Sequence, residues 1–280
     1  MKRALIPFSF IFILAQTLFS QEKLDDAFLV CQYQHYYKID TLENRLREDL
    51  WILQIGKDIS KFYSYYTFQS DSLHSTAEGK QKGREILDQA FSDLKKNKDV
   101  DKFLNSFPRK RGGECVYKNY PQGKSSVTDY IGHGEYVVYE DDLHNQDWQV
   151  TDSLKTILGY NCQQVVCDFR GRHWTVWFTP DIPVSNGPWK LGGLPGLIME
   201  AYDDNHHYHF YIVGVEKKNN LPITWGEPFS KDRKHIKTNR VDFLKAKMFH
   251  GRSGLELTNP ELSRGNPRIL GYDLIERDYK

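Results

Sequence analysis

Most of the chain alternates apolar and polar residues, which is the pattern of strands with one buried face. This alternation predicts strands at residues 27–39, 49–55, 61–68, 115–119, 134–139, 155–169, 173–179, 197–202 and 208–215. Short Gly- or Asp-containing segments at residues 56–58, 170–172 and 203–205 indicate hairpin turns between several of them. We therefore expect consecutive strands to pair antiparallel.

Two stretches repeat apolar residues at the helical period instead. Residues 78–96 have Ile86, Leu87, Ala90, Phe91 and Leu94 at that spacing. A second helix near the C-terminus would begin after a capping Ser230, with Ile236, Val241, Leu244 and Met248 as its apolar residues. The sequence thus predicts an α+β fold, in which a predominantly antiparallel and strongly curved sheet packs against a few helices.

The N-terminus has the residue order of a secretory signal peptide. Lys2 and Arg3 precede an apolar run at residues 4–19, and polar residues return at Gln21. An uncleaved membrane anchor is the alternative, but the run is shorter than the roughly 20 apolar residues of a spanning helix. We expect residues 1–20 to be removed from the mature protein.

The rest of the chain is consistent with one exported domain. Residues 21–250 form a single β-rich domain in this interpretation, and residues 251–280 form a polar extension. The formal charge of +1 becomes −1 when the two positive charges of Lys2 and Arg3 are lost. This balance gives no reason to expect a nucleic-acid partner. We expect a periplasmic, outer-membrane-associated or secreted protein whose mature chain has no transmembrane helix.

Four cysteines, Cys31, Cys115, Cys162 and Cys167, permit disulfides in an exported protein. If Cys162 and Cys167 share one continuous strand, five residues separate their Cα atoms by about 16 Å. A disulfide requires Cα atoms within about 7 Å. We therefore expect no link between these two cysteines.

Residues 187–198 read Gly-Pro-Trp-Lys-Leu-Gly-Gly-Leu-Pro-Gly-Leu-Ile, and glycine and proline determine much of their conformation. Pro195 followed by Gly196 suits a type II turn, which requires positive φ at the glycine. Gly192 and Gly193 permit positive φ or close backbone approach. The apolar residues of this segment are expected to be buried, namely Leu194, Leu197 and Ile198.

The hexapeptide Gly193-Leu194-Pro195-Gly196-Leu197-Ile198 resembles the GLPGLI family of bacterial exported proteins, which is named after these six residues. Residues 159–162, 169–172, 177–180, 182–183 and 187–189 are also similar to that family, so the resemblance covers roughly residues 150–203. The family has no established biochemical activity and is discussed alongside TonB-dependent outer-membrane transporters. The resemblance therefore implies a place in the cell envelope and supplies no catalytic residues.

The sequence lacks the common catalytic motifs. It contains neither G-x-S-x-G nor H-E-x-x-H. The acids at residues 140–142 and the basic run at residues 109–111 are typical of solvated surface. We accordingly predict no cofactor, and a protein that binds rather than reacts.

Residues 206–209, His-His-Tyr-His, are the best candidate for chemistry. On a strand, His207 and His209 would point the same way, and with Asp203 they could hold Zn²⁺ or Cu²⁺. The alternative is a polar hairpin tip with exposed histidines. A metal site here would make the protein a metal-binding protein or a metal-dependent enzyme.

An aromatic strand face is the second candidate site. Trp174, Val176 and Phe178 share one face of their strand, and Trp177 lies on the other. This face is either ordinary core or the wall of a concavity for an apolar or peptide ligand. The favoured function is a non-enzymatic binding or accessory factor linked to TonB-dependent transport, with such a ligand or an outer-membrane transporter as its partner.

Overall fold

The computed structural model describes residues 22–38, 40–42, 46–75, 77–104, 106, 109–131, 135–143, 146–226, 235–258 and 271–279. The predicted signal peptide, residues 1–20, and the expected cleavage position before Gln21 lie outside these ranges. Ser230, the predicted helix cap, also lies outside them.

Within the described ranges, twelve strands form one sheet. They are β1 Lys23–Tyr37, β2 Arg47–Gly56, β3 Ser60–Ser64, β4 Cys115–Lys118, β5 Lys124–Ile131, β6 Glu135–Asp142, β7 Gln149–Ile157, β8 Tyr160–Phe169, β9 Arg172–Thr179, β10 Leu197–Asp203, β11 Tyr208–Thr224 and β12 Ile236–Lys237. Their order is β12-β6-β5-β4-β3-β2-β1-β11-β10-β9-β8-β7, and β12 and β6 are the parallel pair. The predicted α+β class with a mainly antiparallel sheet is confirmed.

Contacts between distant strands require this sheet to curve. Arg170, in the turn between β8 and β9, forms an ion pair of 2.6 Å with Asp141 of β6. In the strand order β6 is second and β9 is tenth, so a flat sheet would separate them by about 38 Å at about 4.8 Å per strand. The sheet therefore bends until regions near its two ends meet.

Four helices accompany the sheet in the described ranges: α1 Tyr65–Ser75, α2 Ala77–Asn97, α3 Val100–Leu104 and α4 Arg240–Thr258. Helix α2 matches the predicted helix at residues 78–96. Helix α4 begins later than predicted because Asn239 caps it, accepting a hydrogen bond of 2.9 Å from the Asp242 amide. Ile236 consequently lies in β12, and the predicted domain boundary at residue 250 falls within α4.

Two strand predictions have the wrong extent. Residues 61–68 were expected to continue as a strand, but β3 ends at Ser64, whose Oγ accepts a hydrogen bond of 3.3 Å from the Thr67 amide and starts α1. Residues 155–169 were expected to form one strand, but Leu158 (φ 48°) and Gly159 (φ 83°) turn the chain between β7 and β8. Two successive positive φ values are typical of a tight hairpin turn.

The C-terminal segment packs into the same core as the sheet. Leu274 and Tyr279 are buried with the hydrophobic core, and Tyr272 forms a β-bridge with Asp40. Helix α4 contributes Phe243 and Leu244 to that core. Residues 271–279, predicted to belong to a polar extension, thus contribute to the packing of the domain.

All four cysteines are buried as free thiols, and Cys162 and Cys167 lie on the continuous strand β8. Burial raises the pKa of the Cys31 and Cys167 thiols to about 12, which leaves little reactive thiolate. We expect peptide mapping without reduction to recover no Cys162–Cys167 link, and native protein to react slowly with a thiol-alkylating reagent. Recovery of that link would mean that β8 is interrupted by a turn in solution.

Candidate functional site

The GLPGLI-like loop, residues 187–198, has a structural role. Gly193 has φ of +80°, a conformation that favours glycine. Gly196 does not lie in the positive-φ region. The predicted type II turn, which requires positive φ at Gly196, is therefore wrong. Gly196 is required for space: a Cβ there would overlap the Thr179 carbonyl oxygen and lie 2.6 Å from its carbon. Pro195 is exposed, and the apolar residues are buried as predicted, namely Leu194, Leu197 and Ile198.

A buried lysine holds the chain just before the hexapeptide. Lys118 of β4 donates hydrogen bonds to the carbonyl oxygens of Gly187 (2.8 Å) and Leu191 (2.5 Å) and to Asn186 Oδ1 (3.0 Å). Burial lowers the pKa of Lys118 to about 7. Three oxygen acceptors match the three donors of an ammonium group, so this contact fixes the loop against the sheet.

The predicted aromatic ligand face is part of the core. Trp174 and Val176 have no exposed surface, and Trp177 and Phe178 are also buried. The Trp174 ring packs 5.7 Å from the ring of Trp189, which precedes the hexapeptide. None of the four predicted residues lines the cavity described below. The alternation of aromatic residues in this strand therefore indicates that the strand is buried in the core.

The structure does not bring the predicted metal ligands together. Asp203 Oδ2 accepts a hydrogen bond of 2.7 Å from Arg172, and His209 Nε2 lies 2.8 Å from Glu200 Oε1. His207 Nδ1 is 3.5 Å from Asp273 Oδ2. Within the described ranges, no three His, Cys, Asp or Glu side chains are grouped so that they could hold a metal ion.

A cavity of about 860 Å³ lies between the inner face of the sheet, α4 and the C-terminal segment. Its volume is in the range of about 300–1,000 Å³ that is usual for small-molecule sites. Seven aromatic side chains contribute to its wall, namely Tyr37, Trp51, Tyr130, Tyr139, Tyr208, Phe243 and Tyr272. This is the best candidate site in the described part of the chain, and sequence patterns did not reveal it.

Two buried polar side chains in the cavity wall lack partners. His35 is 6% exposed, and neither of its ring nitrogens has a hydrogen-bond partner among the described residues. Its ring stacks on Phe210 at 4.1 Å, and burial lowers its pKa to about 3, so it is neutral. Trp51 Nε1, also buried, has no partner in the same part of the chain. Buried polar groups are normally satisfied, so these nitrogens suit a bound molecule.

Two acids near these groups have raised pKa values. Asp49 pairs with His35 in the β1–β2 register, and burial raises its pKa to about 6. Burial also raises the pKa of Glu114 to about 7, although Lys247 opposes the shift. Lys247 forms an ion pair with Asp129. Glu114 lines the cavity without a hydrogen bond or ion pair to the described residues, so its carboxyl is available to a ligand.

Two glycines place this carboxyl in the wall. A Cβ at Gly112 would overlap the Trp51 ring, and one at Gly113 would lie 2.5 Å from Tyr130 Cδ1. Only glycine allows the chain to pass so close to both rings before Glu114. A Gly-Gly pair followed by an acid was the sequence signal that could have indicated this part of the site.

The pH dependence of stability tests the environment of Glu114. Its folded-state pKa is raised, so the folded protein binds more protons, and stability falls as pH rises from the unfolded value through about 7. The Glu114→Gln variant should therefore be more stable than wild type by about 2 kcal/mol at pH 8 and gain little at pH 4.5. Urea unfolding at both pH values measures this.

The exposed Glu135→Gln variant controls for the loss of a formal charge. An equal effect of Glu114→Gln at pH 4.5 and pH 8 would contradict the raised pKa of the half-buried Glu114.

Comparison with known proteins identifies one segment of the chain. A family model described as a protein of unknown function (Porph_ging) matches residues 170–200, which run from the β8–β9 turn into β10. No curated protein matches the chain. None of the described helices is both long and apolar enough to cross a membrane.

Two solved structures, both of PNGF-II, in space groups P21 and C2, are similar to part of this chain. Each is 16% identical to this chain and covers 80% of it, with TM-scores of 0.48 and 0.49. The match covers 33% of each PNGF-II chain, so this chain spans about a third of the length of the structures it matches.

Proposed function

We propose that this is a non-enzymatic binding protein of the cell envelope that holds a ligand in the cavity beneath its curved sheet. The observation that supports this most directly is the pair of unpartnered nitrogen-bearing side chains, His35 and Trp51, in the wall of that cavity. A ligand that hydrogen-bonds to them would remove the cost of burying unpaired polar groups. The aromatic wall would supply apolar contact area.

We also propose that the chain is a GLPGLI-family protein, exported by means of residues 1–20. The support is the hexapeptide at residues 193–198 together with its similar flanks. The resemblance supports a role as an accessory factor beside a TonB-dependent outer-membrane transporter. Crosslinking in intact cells tests that link, and a crosslinked partner set without such a transporter would oppose it.

Native mass spectrometry of protein purified from its own cell envelope tests ligand binding. We expect wild-type protein to carry a stoichiometric adduct that denaturation releases. His35→Leu, which removes both ring nitrogens, should retain much less of it. The matched control is His206→Leu, because His206 is exposed and does not line the cavity.

An adduct-free wild-type spectrum would refute ligand binding in this cavity. An adduct with the mass of a metal ion would instead favour the alternative of a metal-binding protein. Equal retention by both histidine variants would place the ligand elsewhere.

A further inference from the structure

We propose that the ligand of this cavity presents a positively charged nitrogen, an ammonium or guanidinium group, to Glu114. This inference rests on the proposed binding function and adds the chemical class of the ligand. It follows from the charges and rings that surround Glu114.

Three other acids of the cavity wall, which are buried or half-buried, already have cationic partners. Asp129 pairs with Lys247, Glu276 with Lys190 and Arg240 at 2.6 Å each, and Asp273 with Arg172 at 2.6 Å and Arg277 at 2.7 Å. Glu114 has no ion pair or hydrogen bond among the described residues. Among the buried and half-buried carboxyl groups of the wall, Glu114 is therefore the one left for a ligand to match.

Two lining cations close to Glu114 in sequence are engaged elsewhere. Lys110 Nζ lies 2.5 Å from Asp71 Oδ1. The Arg111 guanidinium stacks 4.0 Å from the Tyr66 ring and donates a hydrogen bond of 2.7 Å to the Glu48 carbonyl. Both cationic groups thus have partners other than the Glu114 carboxyl.

Aromatic rings that line the cavity near this carboxyl also favour a cation. Trp51 and Tyr130 lie directly against Gly112 and Gly113, which precede Glu114. A cation near such rings is attracted to their electron-rich faces, and more strongly when it is desolvated. Carboxylate and ring faces together discriminate against an uncharged ligand of the same shape.

This recognition makes binding depend on pH. The groups that face Glu114 are Lys247 of α4, Asp129 of β5, Lys190 before the hexapeptide and Glu276 of the C-terminal segment. Burial holds the pKa of Glu114 near 7 in the empty cavity. A cation favours the ionised carboxylate, so binding releases a proton, and affinity should rise up to about tenfold from pH 6 to pH 8.

A matched pair of probes tests this inference by isothermal titration calorimetry. Nα-acetyl-lysine methylamide carries an ammonium group, and Nα-acetyl-norleucine methylamide has the same side-chain stem without it. We expect the lysine probe to bind at least tenfold more tightly at pH 8, with a smaller preference at pH 6. Glu114→Gln should abolish that preference. Glu48→Gln should retain it, since Glu48 is an exposed lining carboxylate.

Two results would overturn the inference. Equal affinities for the two probes would exclude recognition of the charge while leaving ligand binding by the cavity intact. Failure of the lysine probe to bind at millimolar concentration would also exclude it. Whether the cavity holds any ligand is decided separately by the native mass spectrum of the wild-type protein.

Discussion

The Gly196→Ala variant is expected to lose about 3 kcal/mol or more of unfolding free energy, because a single added methyl group has no space. Its Cβ would overlap the Thr179 carbonyl oxygen and lie 3.0 Å from Pro180 Cα. Both are backbone groups that cannot rotate away. Thr179 also pairs with Leu197 in the β9–β10 register, so relief would disrupt that pairing. Urea or thermal unfolding followed by circular dichroism measures the loss.

Gly123→Ala is the control for this effect. Gly123 has φ of +79°, but a Cβ there would meet nothing within 4 Å. Backbone strain alone should cost about 1–2 kcal/mol at that position. If Gly196→Ala were as stable as wild type, the close approach to Thr179 would be refuted.

The importance of Gly196 was predictable, but its reason was not. Pro-Gly dipeptides favour a type II turn, and that local preference was the basis of the prediction. The actual constraint comes from Thr179 and Pro180, which lie far from Gly196 in sequence and reach it through strand pairing. Local propensity cannot reveal a constraint of this kind.

Missed and misplaced elements have similar causes. Strand β5 was not predicted, because Ser125, Ser126, Thr128 and Asp129 are polar and yet buried. Asp129 is buried there because Lys247, on a distant helix, pairs with it. The start of α1 had a local signal in its Ser64 cap, but the aromatic residues around it favoured a strand.

The candidate site was hidden because its residues are scattered along the chain. His35, Trp51 and Glu114 come from β1, β2 and the residue before β4, and only sheet pairing brings them together. The histidines at residues 206–209 stood out because they are adjacent in sequence. In the structure His207 and His209 have acidic neighbours of their own, Asp273 and Glu200.

Side chains of residues 170–200 connect the sheet to the C-terminal segment, residues 271–279. Lys190 reaches Asp141 at 2.9 Å and Glu276 at 2.6 Å, and Arg172 reaches the backbone at Leu274. Residues 272–276 form part of the cavity wall. The segment that resembles a known family thus holds that wall in place, although it does not itself supply the unpartnered groups of the site.

The Arg172→Met variant is therefore expected to lose about 3–5 kcal/mol of unfolding free energy and to release the C-terminal segment. The Arg172 side chain is 1% exposed, bonds to Asp203 at 2.7 Å and donates to the carbonyl oxygens of Leu274 (2.6 Å) and Ile275 (2.7 Å). Its removal leaves the buried Asp203 without a cation. Urea unfolding and amide hydrogen exchange across residues 271–279 measure both effects. Arg277→Met, which removes a more exposed partner of Asp273, should cost at most about 1 kcal/mol, and equal losses in the two variants would contradict this account.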